Sequence, residues 1–297
     1  MRAPGRPKGE RRDAMPRARS DVPRRAGGPG HLGRNRSFWN RTSASYDRRH
    51  APELSGRRAL SWGLWRVPES RLQLLAPVRG RRILELGCGA ARWSIALARR
   101  GALGVGIDLS DAQLAIATQL VRAAGSSVEL VHGSAEDLPF GPGRFDVVFC
   151  DWGAMTFADP RRVVPEVSRV LRPGGRFVFS AAHPFRGLSF DRKNDRQSRR
   201  LQRPYFGAGR VDYGGSVEFQ LPFGEWLALF RSNGLSVRRL IETQPGRTAT
   251  SSYLTRSDQA WGRRWPLEAI WSLQKAIEPA AVRTGRRSAR ISSPSPR

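Results

Sequence analysis

Cysteine and lysine are the scarce residues of this 297-residue chain, which has two Cys and, among its 52 basic side chains, three Lys (Lys8, Lys193 and Lys275). Two cysteines cannot build a disulfide framework, so a reducing cytoplasm is the expected compartment. The four His and two Cys offer no metal-ligand spacing, and no metal is expected. No apolar run approaches the ~20 residues of a membrane span. The basic N-terminus is followed by no apolar stretch, which argues against a secretory leader. Arginine and aromatics are plentiful instead. Lys+Arg outnumber Asp+Glu by 52 to 25, a net charge of +27, while nine Trp and thirteen Phe call for a packed core.

The charge is concentrated. Residues 1–50 carry 14 basic and 4 acidic side chains, residues 186–210 carry 8 and 2, and residues 280–297 carry 5 and none, which leaves the other 204 residues at +6. Two readings stand side by side. The arginine bias follows from GC-rich coding, or the basic segments touch nucleic acid or an anionic membrane surface.

Residues 1–35, rich in Arg, Pro and Gly, read as a disordered tail. Residues 36–70, with Phe38, Trp39, Tyr46, Trp62 and Trp65, read as an N-terminal helical region. Over 71–243 strands and helices alternate. Strands are expected at Ile83–Leu86, Val105–Asp108, Val128–His132, Phe145–Cys150, Arg176–Ala181 and Leu235–Ile241. Between them lie helices at Trp93–Arg100, behind a capping box at Ser110–Gln113, from Pro165, and at Glu225–Ser232. Such alternation means an α/β fold with an open, mostly parallel sheet and helices on both faces. Residues 182–221 show no period and read as an insert after the fifth strand. Residues 244–279, with Trp261, Trp265 and Trp271, read as a C-terminal helical segment, and 280–297 as a second tail.

Open parallel sheets bind ligands at the carboxyl ends of their strands. The first strand ends in Glu85-Leu86-Gly87-Cys88-Gly89, where glycines let backbone approach a ligand closely. Asp108 lies 19 residues beyond Gly89, the spacing of a carboxylate that accepts ribose hydroxyls, so an adenosine-containing ligand is expected. It is not a dinucleotide: Arg92 stands where the third fingerprint glycine belongs. Glu85 would repel a pyrophosphate and suits a cationic amino group.

The runs ILELGCGAARWS, GVGIDLS, GSAEDLPFGPGRFDVVFCD and RVLRPGGRFVFS, in this order, resemble class I S-adenosylmethionine-dependent methyltransferases. The resemblance covers about 70–243 and is nearest the small-molecule, ubiquinone-biosynthesis-type branch (methyltransferase type 11). It implies a Rossmann-like, doubly wound sheet of seven strands, with the 182–221 insert as a substrate lid. It also implies S-adenosylmethionine as cofactor: Gly87, Cys88 and Gly89 along its methionyl part, Glu85 near the ammonium, Asp108 on the ribose and Leu109 against adenine. Ser134 and Ala135 would meet the adenine edge. Ser134 stands where the family often has Asp, which leaves Glu136 as a source of the adenine amino contact. Cys150 and Asp151 would face the methyl-transfer site.

A sulfonium methyl is already electrophilic, so a base is needed only for a nucleophile that arrives protonated. His183, just after the fifth strand, is the first candidate base, and Asp151 a second base or a substrate anchor. Tyr46 and Tyr205 are candidate covers. The expected activity is in-line methyl transfer to a small-molecule acceptor. Two alternatives are RNA methylation, favoured by charge, and cofactor binding without catalysis. The fourth strand ends in Cys150-Asp151-Trp152-Gly153, not in the N/D-P-P-Y of amino-methylating nucleic-acid enzymes.

Overall fold

A computed structural model describes residues 30–277 except 57–58 and 208. The expected tail at 280–297, and the tail at 1–35 up to residue 29, lie outside the described residues.

In chain order the elements are α1 (His31–His50), a hairpin of β1 (Ser61–Trp62) and β2 (Val67–Pro68), α2 (Glu69–Leu72), β3 (Arg82–Leu86), α3 (Arg92–Ala98), β4 (Leu103–Asp108), α4 (Asp111–Ala123), β5 (Glu129–His132) and β6 (Phe145–Asp151). There follow α5 (Ala154–Phe157), α6 (Pro160–Val170), β7 (Leu171–Ala182), α7 (Pro184–Ser189), the hairpins β8 (Phe190–Asp191) with β9 (Arg196–Gln197) and β10 (Arg210–Asp212) with β11 (Val217–Phe219), α8 (Phe223–Ser232), β12 (Leu235–Glu242), α9 (Arg256–Gly262) and β13 (Glu268–Lys275).

Seven strands form one sheet in the order β12-β13-β7-β6-β3-β4-β5. All run parallel except β13, which pairs antiparallel with both neighbours. The fold is therefore the expected α/β, Rossmann-like one. Its central strands are buried on both sides. In β6, Val147 and Phe149 pack with Trp62, Trp93 and Leu97, while Val148 and Cys150 pack with Val163, Val167, Phe179 and Trp226 on the opposite face. Ser110 caps α4 by accepting from the Gln113 amide at 3.2 Å.

Three sequence expectations need correction. First, the chain is helical from His31, so residues 31–35 are not tail. This turn docks through polar contacts: Arg34 pairs with Asp212 at 2.6 Å, and buried Asn35 donates to the Phe157 and Val217 carbonyls and accepts from the Val217 amide. Second, α6 starts at Pro160 and carries Pro165 inside it. Asp159 caps it by accepting from the Arg161 amide, and Pro160 fills the first position, where no amide is needed. Third, the expected helical segment 244–279 is not one over its described residues, 244–277. Only the short α9 is helical, and Glu268–Lys275 is the seventh strand of the sheet, which therefore extends beyond residue 243. Among its described residues the 182–221 insert forms α7 and two hairpins.

Among the described residues no helix is long and apolar enough to cross a membrane, and no group of His, Cys, Asp and Glu is placed to hold a metal ion.

Candidate active site

The strand ends β3, β4 and β6 open into one cavity. Its inner part is lined by Glu85, Gly87, Cys88, Gly89, Asp108 and Leu109, and by Gly133, Ser134 and Ala135 after β5. The glycine loop folds tightly because the Gly87 and Cys88 amides both donate to the Ile107 carbonyl, at 2.8 and 3.0 Å. Gly87 has φ +66°, and a Cβ there would stand 2.4 Å from the Ala154 backbone nitrogen. Asp108 closes the loop: one carboxylate oxygen accepts from the Gly89 amide and the other from the Ser110 amide, each at 2.8 Å. Burial nonetheless raises its carboxyl above the usual aspartate range. Glu85 accepts from the Ser94 amide (3.0 Å) and hydroxyl (2.6 Å), and burial pushes its carboxyl up to about 8.

The outer part has walls from distant segments. α1 supplies Trp39 and Tyr46, the β1–β2 hairpin Gly63 and Arg66, and the end of β6 Asp151 and Trp152; α5 adds Thr156 and Phe157. Arg186 of α7, Glu218 of β11 and Tyr253 complete it. The aromatic rings form a chain. Trp39 meets Phe157 and Tyr46 edge to face at 5.2 Å, and the Tyr46 hydroxyl lies 3.2 Å from that of Tyr253. Burial raises both phenols. The Arg186 guanidinium sits 4.8 Å over the Trp152 ring, whose backbone is left-handed at φ +58°. Asp151 is held from three sides: one oxygen accepts from the Gly63 amide at 2.8 Å and the Ser180 hydroxyl at 2.5 Å, and the other lies 3.5 Å from Arg66.

Of the twelve residues singled out from sequence, nine line this cavity: Glu85, Gly87, Cys88, Gly89, Asp108, Leu109, Ser134, Ala135 and Asp151. Three do not. Glu136 is buried in an ionic cluster with His31 (2.5 Å), Arg162 (3.1 Å) and the Asp159 amide (2.7 Å), so it is spent on holding α1 and α6. Cys150 points to the core face, where its sulfur accepts from the Met155 amide at 3.4 Å. His183 caps α7 by accepting from the Phe185 amide and pairs with Glu242 at 2.9 Å; burial lowers its affinity for a proton. Tyr46 is a wall of the cavity; Tyr205 is not among its lining, and its hydroxyl accepts from the Phe223 amide instead. Sequence reasoning missed Trp39, Arg66, Trp152, Arg186, Glu218 and Tyr253, which reach the cavity only through tertiary packing.

Comparison with known proteins places this geometry. A family model described as a methyltransferase domain matches residues 84–179. A demethylmenaquinone methyltransferase of Clavibacter sepedonicus is 39% identical over 143 residues, 48% of this chain and 55% of the relative. Its counterpart in Geobacillus kaustophilus is 37% identical over 144 residues, 47% of this chain and 59% of the relative. The chain thus spans little more than half the length of these curated relatives. The crystal structure of an S-adenosylmethionine-dependent methyltransferase from Mesorhizobium loti superposes with a TM-score of 0.57 at 25% identity, covering 69% of this chain and 96% of that one. Residues 84–179 thus match a methyltransferase domain, within a fold similar to that of a solved S-adenosylmethionine-dependent methyltransferase.

Proposed function

We propose that the protein transfers the methyl group of S-adenosylmethionine to a small-molecule nucleophile by in-line displacement. One observation carries this reading: a single cavity joins the glycine loop and Asp108 to a chamber walled by Trp39, Tyr46, Trp152 and Tyr253. The lining fits the cofactor. Glu85 would meet its ammonium, Gly87–Gly89 its methionyl chain, Asp108 the ribose hydroxyls, Leu109 the adenine face, and Ser134 and Ala135 the adenine edge. When bound, the cofactor supplies an electrophilic sulfonium methyl. The chain's own contribution is to hold the acceptor in line, an effect that can lower a barrier by ~7–11 kcal/mol.

Asp151 suits an anchor rather than a base, since Gly63, Ser180 and Arg66 already engage its oxygens and it fixes the hairpin that carries Arg66. The relatives act on demethylmenaquinone by name, which makes a quinone-type acceptor the first to try. Radiolabelled methyl transfer into a fractionated extract, with nuclease-treated controls, tests the proposal. Label in a nuclease-resistant small-molecule fraction supports it. Label confined to RNA, or cofactor binding with no transfer, overturns it.

Two predictions follow from the roles given to Asp108 and Glu85. Asp108→Ala should weaken binding of S-adenosylhomocysteine by ~1–3 kcal/mol, because hydrogen bonds to a charged group are lost; titration calorimetry showing wild-type affinity would refute the ribose role. Glu85 should titrate with binding. Its raised carboxyl is largely protonated at pH 7, and an incoming ammonium favours the ionised form. Binding at pH 7 should therefore release a proton, and affinity should climb as pH rises through about 8 and level off above it, where Glu85 is ionised before the ligand arrives. Calorimetry in buffers of different ionisation enthalpy measures the release; none at pH 7 would place the ammonium elsewhere. Without ligand, the stabilisation from a carboxyl raised by folding is complete below its unfolded value and is lost as pH rises through about 8.

A further inference from the structure

The basic insert has a feature that a merely solvated loop lacks: it turns large apolar side chains outward. Phe206 is 84% exposed, Leu201 66% and Phe185 46%. Exposed Arg199 and Arg200 precede Leu201, and half-buried Arg203 lies between Leu201 and Phe206. The loop is pinned while doing so. The Gln202 amide donates to the Leu188 carbonyl at 2.7 Å, Arg203 Nε to the Gly187 carbonyl at 2.8 Å, and Trp261 Nε1 to the Ser198 carbonyl at 2.7 Å. Behind Phe206, the Tyr205 hydroxyl accepts from the Phe223 amide at 3.0 Å. Backbone and neighbours are thus held by the protein, and Leu201 and Phe206 are what the loop presents. Between 186 and 210 eight basic side chains stand against two acidic ones, so the charge is strongly positive.

We propose that residues 199–206, with Phe185, form a docking surface for an anionic lipid bilayer. Arginines are drawn to headgroup phosphates while the apolar side chains between them enter the acyl boundary. The combination discriminates among partners. RNA would engage the arginines but gives an aliphatic Leu201 nothing to bury against, and a second copy of this net-positive chain would meet like charge. The surface also borders the cavity: in α7, Phe185 faces outward and the next residue, Arg186, lines the cavity wall. An acceptor carried in the bilayer would therefore be met close to the chamber.

The test uses the full chain, sedimented with vesicles of phosphatidylcholine alone or with one-third phosphatidylglycerol. Binding to the anionic vesicles, weakening with salt, is expected, with little to the neutral ones. The double variants L201S/F206S and R199E/R200E should each lower the partition coefficient by about tenfold or more. Neither should shift the melting temperature, since these side chains are exposed. No vesicle binding, equal binding to neutral vesicles, or binding unchanged by either variant would overturn the proposal; the last outcome would assign the attraction to basic segments elsewhere. Loss in R199E/R200E alone, matched by an equal loss of RNA binding, would also overturn it in favour of nucleic acid.

Discussion

Replacing Gly87 with alanine is expected to abolish measurable binding of S-adenosylhomocysteine and to lower folding stability by about 2–5 kcal/mol. Two effects add. A side chain at φ +66° incurs roughly 1–2 kcal/mol of left-handed strain. The new Cβ would also stand 2.4 Å from the Ala154 nitrogen and 3.0 Å from Gly153, and overpacking against backbone costs typically 1–3 kcal/mol. Backbone cannot rotate aside as a flexible side chain does, so relief requires the glycine loop and the start of α5 to separate, which opens the cavity floor. Gly153→Ala should act alike, because its Cβ would meet the Gly87 and Leu86 carbonyl oxygens at 2.5 and 2.6 Å. Gly80→Ala is the control: φ is +71°, but nothing lies within 4 Å, so only the strain of about 1–2 kcal/mol remains. Urea unfolding and titration calorimetry on the three variants decide the matter. A Gly87→Ala protein that binds with native affinity would show that the close approach is dispensable.

Glu268→Ala should destabilise the protein by about 3–5 kcal/mol. Glu268 is fully buried at the start of β13. One carboxylate oxygen accepts from the Leu64 amide at 2.6 Å and Trp152 Nε1 at 2.7 Å, and the other from the Thr243 hydroxyl at 2.9 Å and, more weakly, the Trp65 amide at 3.4 Å. Alanine leaves these donors without their acceptor, at about 1–3 kcal/mol for each buried group left unpaired. Burial raises this carboxyl against the Leu64, Trp152 and Thr243 donors that favour its charge. The same side chain ties the β1–β2 hairpin and Trp152, both walls of the cavity, to the sheet. Cofactor-analogue affinity should therefore fall together with the melting temperature. Glu268→Gln keeps one accepting oxygen and should lose about half as much. If alanine and wild type unfold at the same urea concentration, the hub reading is wrong.

Glycine, strand periodicity and the Gly89-to-Asp108 spacing are local properties, and they carried the inner half of the cavity. The outer half is not local. Tyr253 and Glu218 stand in stretches with no period of their own, and reach the cavity because β10, β11 and the segment before α9 pack beside α1. His183 illustrates how a correct strand end still misleads. It follows β7 as expected, but its ring nitrogens are used by the Phe185 amide and Glu242. Glu136 was drawn into the adenine site by its place in the motif, yet the chain spends it on His31 and Arg162. The α1 helix was partly hidden because its anchors, Asn35 and Arg34, are polar, and composition reads polar residues as solvent-facing. The apolar residues of 268–275 make only a short run, Ala269 to Trp271 with Leu273, a pattern that a buried strand and a buried helix share.

The position of β13 bears on how the protein is made. In space it lies between β7 and β12; along the chain it comes after both. During synthesis, β7 and β12 leave the ribosome with the strand that joins them still inside it. Both then present bare hydrogen-bonding edges until residue 275 has emerged, and an unpaired edge is a template for foreign strands. A nascent chain stalled before that point should aggregate or recruit chaperones, although its entire cofactor loop has already been translated. The closing of the sheet thus falls to a strand that supplies no residue to the cavity lining.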